Sequence, residues 1–150
     1  MNVIRKADIG DAIFFTENMR EEDRIENKKI RKFTGSDSSE YDSLLSGIQN
    51  GECFVGEHNG VPVFIYGAVP QSDNYSAIGW NICTPGISEC KLFVYETAHE
   101  YNNDLKKRFG LIMNLIHKKN KVAWRLAQKL GAKFELIKDD VYLFHIEGER

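Results

Sequence analysis

The stretch that decides the fold of this chain is NKVAWRLAQKLGAKF, which runs from Asn120 to Phe134. Its apolar residues recur at spacings of three and four, which predicts a helix over Ala123–Leu130 with one face turned to a sheet. Gly131 is predicted to end that helix, because glycine readily adopts the left-handed conformation of a helix C-terminus. Phe134 then begins a strand, so the stretch predicts a helix packed on a sheet and followed directly by a further strand.

The segment before this stretch, LIMNLI, has the length and the apolar composition of a buried strand. Nearer the N-terminus, Asn59-Gly60 is a strong hairpin signal between two apolar runs. The complete set of predicted strands covers Asn2–Arg5, Cys53–His58, Val61–Val69, Ala77–Cys83, Leu111–Ile116, Phe134–Ile137 and Val141–Ile146.

Three further segments carry helix signals. A helix over Ala12–Arg20 is predicted to begin at Asp11, a favourable N-cap residue. A second helix covers Glu40–Gln49, and a third, amphipathic one runs over Ile87–Leu105. Glu21–Lys32 is crowded with charge, and a loop and an exposed helical turn both fit it. This order predicts an α/β (α+β) fold, with residues 1–150 forming one domain around a mixed central sheet flanked by helices.

The opening stretch resembles the C-terminal signature of the GNAT acyltransferase fold, in which an Asn, an Ala, a Leu and a Leu-Gly pair before a Phe recur at this spacing. The order of the predicted elements is similar to that fold as well, so the resemblance covers nearly all of the chain. It implies acetyl-CoA as a cofactor and an amine as the acceptor of the acetyl group.

Within that superfamily the chain resembles small proteins of short-tailed phages, which are described as acetyltransferase-like or as internal virion proteins. The segments that carry this narrower resemblance are Met19–Asp23, Gly51–Val55, Gly60–Gly67, Trp80 with Thr84–Ile87, and Asn120–Gly131. The resemblance implies that the protein resides in the virion or in the host cytoplasm, and that its partner is a virion protein or a host protein.

Acyl-CoA enzymes of this fold hold the pyrophosphate of the coenzyme in a glycine-rich loop, where free N–H groups and a helix dipole meet the anion. The matching stretch here begins at Thr84, a candidate helix cap, and reaches Ile87 with a single glycine, Gly86. Pro85 removes one N–H donor, and Glu89 would repel a phosphate. The resemblance therefore implies cofactor contacts at Thr84, Gly86 and Ile87, but in a degraded cradle.

The catalytic groups that the resemblance implies are also incomplete. Many members carry a Tyr general acid directly after the Leu that matches Leu126; here that position is Ala127, which cannot donate a proton. A histidine can serve as a base near neutral pH. His117 is the candidate, because it ends the strand before Asn120 and ligands bind beyond the carboxyl ends of parallel strands. Asn120 matches an Asn that often contacts CoA, and a helix N-cap fits it equally well.

Charge is unevenly distributed, although the formal net charge is only −2. Leu105–Lys138 carries ten basic residues and one acid, a net charge of +9 that leaves −11 for the rest. Lys118 and Lys121 flank Asn120 and are predicted to attract the phosphates of a cofactor. The region predicts an acidic or phosphate-bearing ligand, with a nucleic acid as a lesser candidate; a solvated helix face fits the same pattern.

Composition excludes several other classes of protein. Apolar residues make up 42% of the chain, which argues against wholesale disorder. No apolar run approaches the roughly 20 residues of a membrane-spanning helix, and the N-terminus lacks the apolar core of a secretion signal. The three cysteines, Cys53, Cys83 and Cys90, show no CxxC spacing, so we expect reduced, buried thiols. Cys and His spacings match no zinc motif, and no metal is expected.

Two functions from different classes follow from these residues. The loss of both the phosphate loop and the Tyr predicts a non-catalytic phage protein that is packed inside the virion or binds a host protein. The retained framework instead favours an acetyl-CoA-dependent N-acetyltransferase that acts on an amine or a protein. We expect the first of these functions.

Overall fold

A computed structural model describes all residues from Met1 to Arg150. Seven strands form one sheet in the order β1-β2-β3-β4-β5-β7-β6, with β4 and β5 parallel and all other neighbours antiparallel. This confirms the mixed sheet that the sequence predicts. The strands are β1 (Asn2–Lys6), β2 (Glu52–His58), β3 (Val61–Pro70), β4 (Ser76–Cys83), β5 (Leu111–His117), β6 (Lys133–Lys138) and β7 (Val141–Glu147).

Five α-helices flank the sheet, and no helix combines the length and the apolar composition needed to cross a bilayer. They are α1 (Ile9–Asn18), α2 (Glu21–Thr34), α3 (Glu40–Asn50), α4 (Lys91–Arg108) and α5 (Lys121–Lys129). Cores lie on both faces of the sheet. Phe15, Leu44 and Val55 are buried in the cluster that includes α1 and α3, and Phe64 and Tyr66 are buried in the cluster that includes α4.

The N-terminus of α1 differs from the prediction, because Asp8 and not Asp11 is the cap. Asp8 Oδ1 accepts from the Asp11 N–H at 3.3 Å, while Asp11 Oδ2 accepts from the Asp8 N–H at 2.8 Å. Such reciprocal bonds satisfy two N–H groups that the first turn leaves free, so the helix begins earlier than its first apolar residues indicate.

The charged segment after α1 is neither a loop nor a single turn, since α2 has 14 residues. Its first turn carries Glu21, Glu22 and Asp23, and its last turn carries Arg31 and Lys32. Acids near the N-terminus and bases near the C-terminus of a helix both stabilise its dipole. Local charge order therefore supports this helix although it contains few apolar residues.

The helix predicted over Ile87–Leu105 is divided in two. A 3₁₀ helix covers Pro85–Glu89, Cys90 adopts a φ of −142°, and α4 starts only at Lys91. Thr84 is confirmed as a cap, but the helix that it begins is the 3₁₀ helix. The 3₁₀ helix therefore lies directly after the end of β4.

The feature of the sheet that matters most for function is the short contact between β4 and β5. The two parallel strands pair over only three positions, Ser76–Leu111, Ala77–Ile112 and Ile78–Met113. Beyond these pairs the strands have no register with each other, although β4 continues to Cys83 and β5 continues to His117. A gap therefore opens in the centre of the sheet, and we call it the β4–β5 gap.

Candidate functional site

The β4–β5 gap opens into two cavities. The larger, of about 390 Å³, is lined by residues of α2, α3, β4, β5 and α5. A smaller one of about 80 Å³ lies beside α4 and shares Gly79, Trp80 and Asn81 with the larger cavity. The same three residues of β4 therefore form part of the wall of both cavities.

Asn114 fills the start of the gap, just beyond the last paired residues. Its Nδ2 donates to the carbonyl oxygen of Gly79 on β4 at 3.0 Å, and its Oδ1 accepts from the N–H of Leu115 at 2.7 Å. An exposed strand edge leaves N–H and C=O groups without partners. The Asn114 amide supplies partners on both strands, so it takes the place of a missing ladder bond.

Asp23 of α2 occupies the end of β4 and is itself 5% exposed. Its Oδ2 accepts from the N–H of Cys83 at 2.9 Å, and its Oδ1 accepts from Asn120 Nδ2 at 2.8 Å. Arg20 donates to the same carboxylate at 3.3 Å, and its backbone N–H donates to the Cys83 carbonyl at 2.7 Å. These contacts attach the start of α2 to the last residue of β4.

Glu26, one turn further along α2, makes the equivalent contact with β5. Its Oε2 accepts from the N–H of His117 at 2.9 Å, and its Oε1 accepts from Asn120 Nδ2 at 3.2 Å. Asp23 and Glu26 therefore share the Asn120 amide and hold one strand end each. We call these three side chains the carboxylate clasp, and together they bridge the mouth of the gap.

Burial raises the pKa values of both carboxyl groups of the clasp. Loss of hydration raises the pKa of Glu26 to about 7, against the opposing effect of the His117 N–H, and the nearby charge of Asp23 raises it further. Burial also raises the pKa of Asp23, while the Cys83 N–H and Asn120 act in the opposite direction. Glu26 also lines the larger cavity, and a cavity-lining carboxyl group that titrates near neutrality can accept a proton from a ligand.

The two strongest sequence candidates, His117 and Asn120, both lie at this point of the fold, where the backbone N–H of His117 and the side-chain amide of Asn120 bond to the protein itself. His117 is buried, its backbone N–H is held by Glu26, and burial lowers the pKa of its imidazole. Asn120 is 2% exposed, and its Oδ1 accepts from the Ala123 N–H at 3.5 Å as the N-cap of α5. Both ends of the Asn120 side chain are therefore engaged within the protein.

In the segment that matches a pyrophosphate loop, the backbone N–H groups are likewise hydrogen-bonded within the protein. Thr84 Oγ1 accepts from the N–H of Gly86 at 3.2 Å, and the Thr84 carbonyl accepts from the N–H of Ile87 at 3.2 Å. The Thr84 N–H donates to Val63 on β3 at 2.9 Å. The N–H groups of all three candidate cofactor contacts thus have partners inside the protein.

The remaining sequence candidates lie on the surface or line the cavity. Lys118 and Lys121 are exposed and take no part in the clasp. Ala127, the position at which the resemblance implies a Tyr in many members, is 7% exposed and lines the larger cavity. No three His, Cys, Asp or Glu side chains are grouped so that they could hold a metal ion.

Sequence reasoning missed the residues that close the gap, namely Arg20, Asp23, Glu26 and Asn114. The one available signal was the spacing of Arg20, Asp23 and Glu26, which at three-residue intervals fall on one helix face. Buried carboxylates are uncommon, so that face looked solvent-exposed.

Trp80 narrows the gap on the α3 side. A Cβ atom added to Gly47 of α3 would lie 2.8 Å from Trp80 Cζ2, so the ring packs directly on the helix backbone. Trp80 Nε1 is buried without a hydrogen-bond partner. Trp124 lies elsewhere, stacked on Phe134 with ring centroids 3.8 Å apart.

No protein-family model matches this chain, and no curated protein matches it in sequence. Solved structures do match. The ribosomal-protein-S18-alanine N-acetyltransferase from Escherichia coli has a TM-score of 0.70 at 14% identity, over 98% of this chain and 94% of its own. A putative acetyltransferase from Salmonella typhimurium, solved with its cofactor acetyl-CoA, has a TM-score of 0.64 at 14% identity, over 100% and 95%.

An acetyltransferase of the GNAT family from Streptococcus pneumoniae matches over 99% of both chains, with a TM-score of 0.59 and 15% identity. Likeness at this level of identity concerns the backbone, and function depends on the residues grafted onto it. The chain has the fold of the GNAT acetyltransferases.

Proposed function

We propose that this protein is a non-catalytic GNAT-fold protein whose acyl-CoA site is closed and which acts by binding another protein. The observation that carries the proposal is the carboxylate clasp. Asp23 and Glu26 take the N–H groups of Cys83 and His117, which terminate the two strands of the gap. A coenzyme arm lying between the strands would have to displace both carboxylates.

The energetics of entry are unfavourable for an anion. Coenzyme A carries phosphates, and the mouth of the gap carries the buried carboxyl group of Asp23 and the half-buried one of Glu26, which is ionised above its pKa of about 7. The two groups share one Asn amide. Like charges repel strongly where water is excluded. The N–H groups of Gly86 and Ile87 already have partners, so no free cradle compensates for this repulsion. These arguments favour a binding function over acyl transfer.

For the partner and the location we propose a virion protein or a host protein, met in the phage particle or in the host cytoplasm. The support for this part is the resemblance of five sequence segments to small phage proteins. Mass spectrometry of purified virions tests it directly. Presence of the chain in the particle is expected, and absence from both the particle and complexes isolated from infected cells would contradict it.

Isothermal calorimetry with acetyl-CoA tests the closed site. We expect no heat of binding from the unmodified protein at millimolar coenzyme, while an acetyl-CoA-binding GNAT enzyme run in parallel gives a clear isotherm. Micromolar affinity would refute the proposal. A comparison of Asp23→Ala/Glu26→Ala with Asp37→Ala/Asp42→Ala, which removes two exposed acidic charges that make no ion pair, then shows whether the clasp is what excludes the coenzyme.

The second candidate is an acetyl-CoA-dependent N-acetyltransferase, and one observation favours it. Glu26 lines a cavity of about 390 Å³, and its carboxyl pKa of about 7 suits a base that deprotonates an ammonium group. Release of free CoA thiol from acetyl-CoA in the presence of a panel of amines measures this activity. Activity that disappears in Glu26→Gln would establish the enzyme and overturn the first proposal.

A further inference from the structure

A row of exposed cations lies on the outer face of α5, and these residues take no part in closing the gap. α5 has nine residues, three of them basic and none acidic. Lys121, Arg125 and Lys129 follow one another at four-residue intervals, so they lie on one face of the helix, about 6 Å apart along its axis. All three are exposed, as is Lys118 just before the helix. We call these four residues the α5 row.

The cations of the α5 row have no carboxylate within 4.0 Å, which distinguishes them from most arginines in the chain. Arg5, Arg20, Arg24 and Arg108 each make ion pairs. Even the neighbouring Lys119 and Lys133 approach Asp140 and Glu147, at 3.8 Å and 4.0 Å. Other exposed lysines, such as Lys28, Lys29 and Lys32 of α2, also lack an ion pair, but α2 begins with three acidic residues whereas α5 contains none.

Aromatic rings lie beneath the two ends of the row. Lys118 Nζ lies 5.7 Å from the centroid of the Tyr142 ring, and Lys129 Nζ lies 5.3 Å from that of Tyr95. A cation–π contact attracts a cation and positions it without cancelling its charge. The end cations are thus oriented on the surface while remaining available to an anion.

Like charges at four-residue spacing destabilise an isolated helix, and a helix of nine residues has little stability of its own. Cations that destabilise their own helix and have no ion-pair partner in the chain are typical of a surface that binds an anionic ligand. The ligand must present several negative charges in a line at a spacing no wider than that of the row. A nucleic acid strand does so, because it carries a phosphate every 3.4 Å or so along a duplex axis.

We propose that the α5 row binds the phosphodiester backbone of a nucleic acid without regard to base sequence. An acidic polypeptide offers the same charge less regularly, since its carboxylates sit on flexible side chains. The row consists only of Lys and Arg, which contact phosphates and position a protein on a strand. The proposal goes beyond the closed gap and does not depend on whether acetyl-CoA binds.

Fluorescence anisotropy with a labelled single-stranded DNA of about 20 nucleotides tests the proposal, with a duplex of the same length as a second probe. If four cations release counterions from a single strand, log Kd changes with log salt with a slope of about 3. Affinity then falls about 50-fold between 50 mM and 200 mM salt. Scrambling the base sequence should leave Kd unchanged.

The decisive variant is Lys121→Gln/Arg125→Gln/Lys129→Gln. Its matched control is Lys28→Gln/Lys29→Gln/Lys32→Gln on α2. The control also removes three exposed charges that make no ion pair. The α5 variant should lower affinity at least tenfold at low salt and reduce the slope to about 1, while the control changes neither. Absence of binding to both probes at 50 mM salt, or an equal effect of both variants, would overturn the proposal. Tighter binding to polyglutamate than to DNA would instead assign the row to an acidic protein.

Discussion

Asp23 accepts a hydrogen bond at 2.9 Å from the backbone N–H of Cys83, 60 residues further along the chain. A side chain of α2 thereby accepts the backbone hydrogen bond that a neighbouring strand would accept elsewhere in a sheet. The same carboxylate also faces the buried guanidinium of Arg20 at 3.3 Å. This one group therefore satisfies a backbone donor and a buried cation together.

Asp23→Ala should destabilise the protein by about 3 kcal/mol. It leaves the Cys83 N–H buried without a partner and removes one of the two carboxylates that pair with the buried Arg20, whose remaining partner is Glu22. Urea unfolding followed by circular dichroism measures the change. Asp37→Ala, at an exposed position outside all helices and strands, serves as the control and should stay within about 0.5 kcal/mol of the parent. A loss below about 1 kcal/mol in Asp23→Ala would mean that the contact is dispensable.

Glu26 should make stability fall as pH rises. Its carboxyl pKa is about 7 in the folded protein against an ordinary value of 4.5, so the folded state binds the proton more tightly than the unfolded state. Its stabilising contribution is complete below about pH 4.5 and is lost as pH rises through about 7. The loss is at most about 3 kcal/mol.

The buried His117 acts in the opposite direction, because burial lowers its pKa and its contribution is lost as pH falls. The comparison of the parent with Glu26→Gln isolates the carboxyl effect, since both proteins keep His117. Unfolding free energies measured from pH 4 to pH 8 should converge at the acid end, diverge progressively above about pH 4.5 and reach a constant difference above about pH 7, with Glu26→Gln the more stable. Parallel profiles would show that Glu26 has an ordinary pKa.

Asn114→Ala should cost about 1 to 2 kcal/mol, because the Gly79 carbonyl and the Leu115 N–H both lose their partner at the start of the gap. Asn81→Ala is the matched control, since Asn81 is an exposed amide on β4 that makes no side-chain hydrogen bond. Hydrogen exchange adds a local measurement: the Leu115 amide should exchange faster in Asn114→Ala alone. Equal exchange in the two variants would contradict the bridging role.

Gly47→Ala should destabilise by about 1 to 3 kcal/mol although alanine favours helices, because the new methyl group would lie 2.8 Å from Trp80 Cζ2. Trp80→Phe shortens the ring at that contact and removes the unpaired Nε1. The double variant should therefore be more stable than the two single effects added together, as a double-mutant cycle by urea unfolding would show. Simple additivity would indicate that the ring and α3 do not press on each other.

The sequence predicted the sheet well, because the signals for its strands are local. Asn59-Gly60 adopts φ values of 51° and 82° at the predicted hairpin, and Gly131 adopts 92° at the predicted helix end. Each of these depends on a backbone preference of the residue itself. The mixed character of the sheet followed from the order of the elements.

The closure of the candidate site could not be predicted in the same way. Asp23 and Glu26 are ordinary acids in a charged segment, and their importance comes from contacts with Cys83 and His117, 60 and 91 residues away. Apolar periodicity does not report a helix face that buries carboxylates. Asn120 illustrates the limit, since its capping role is local and predictable whereas its two carboxylate partners are not.

The distance along the chain between the two ends of the clasp also has a kinetic consequence. The Glu26–His117 contact joins residues 91 positions apart, whereas the β2–β3 and β6–β7 hairpins close over short turns. Contacts of long sequence separation carry the larger loop-closure entropy, and we expect them to form late. Each newly made chain should therefore pass through a state in which the sheet is assembled and its centre still stands open. A ligand of the β4–β5 gap would therefore bind most readily during synthesis and folding, before the carboxylate clasp has formed.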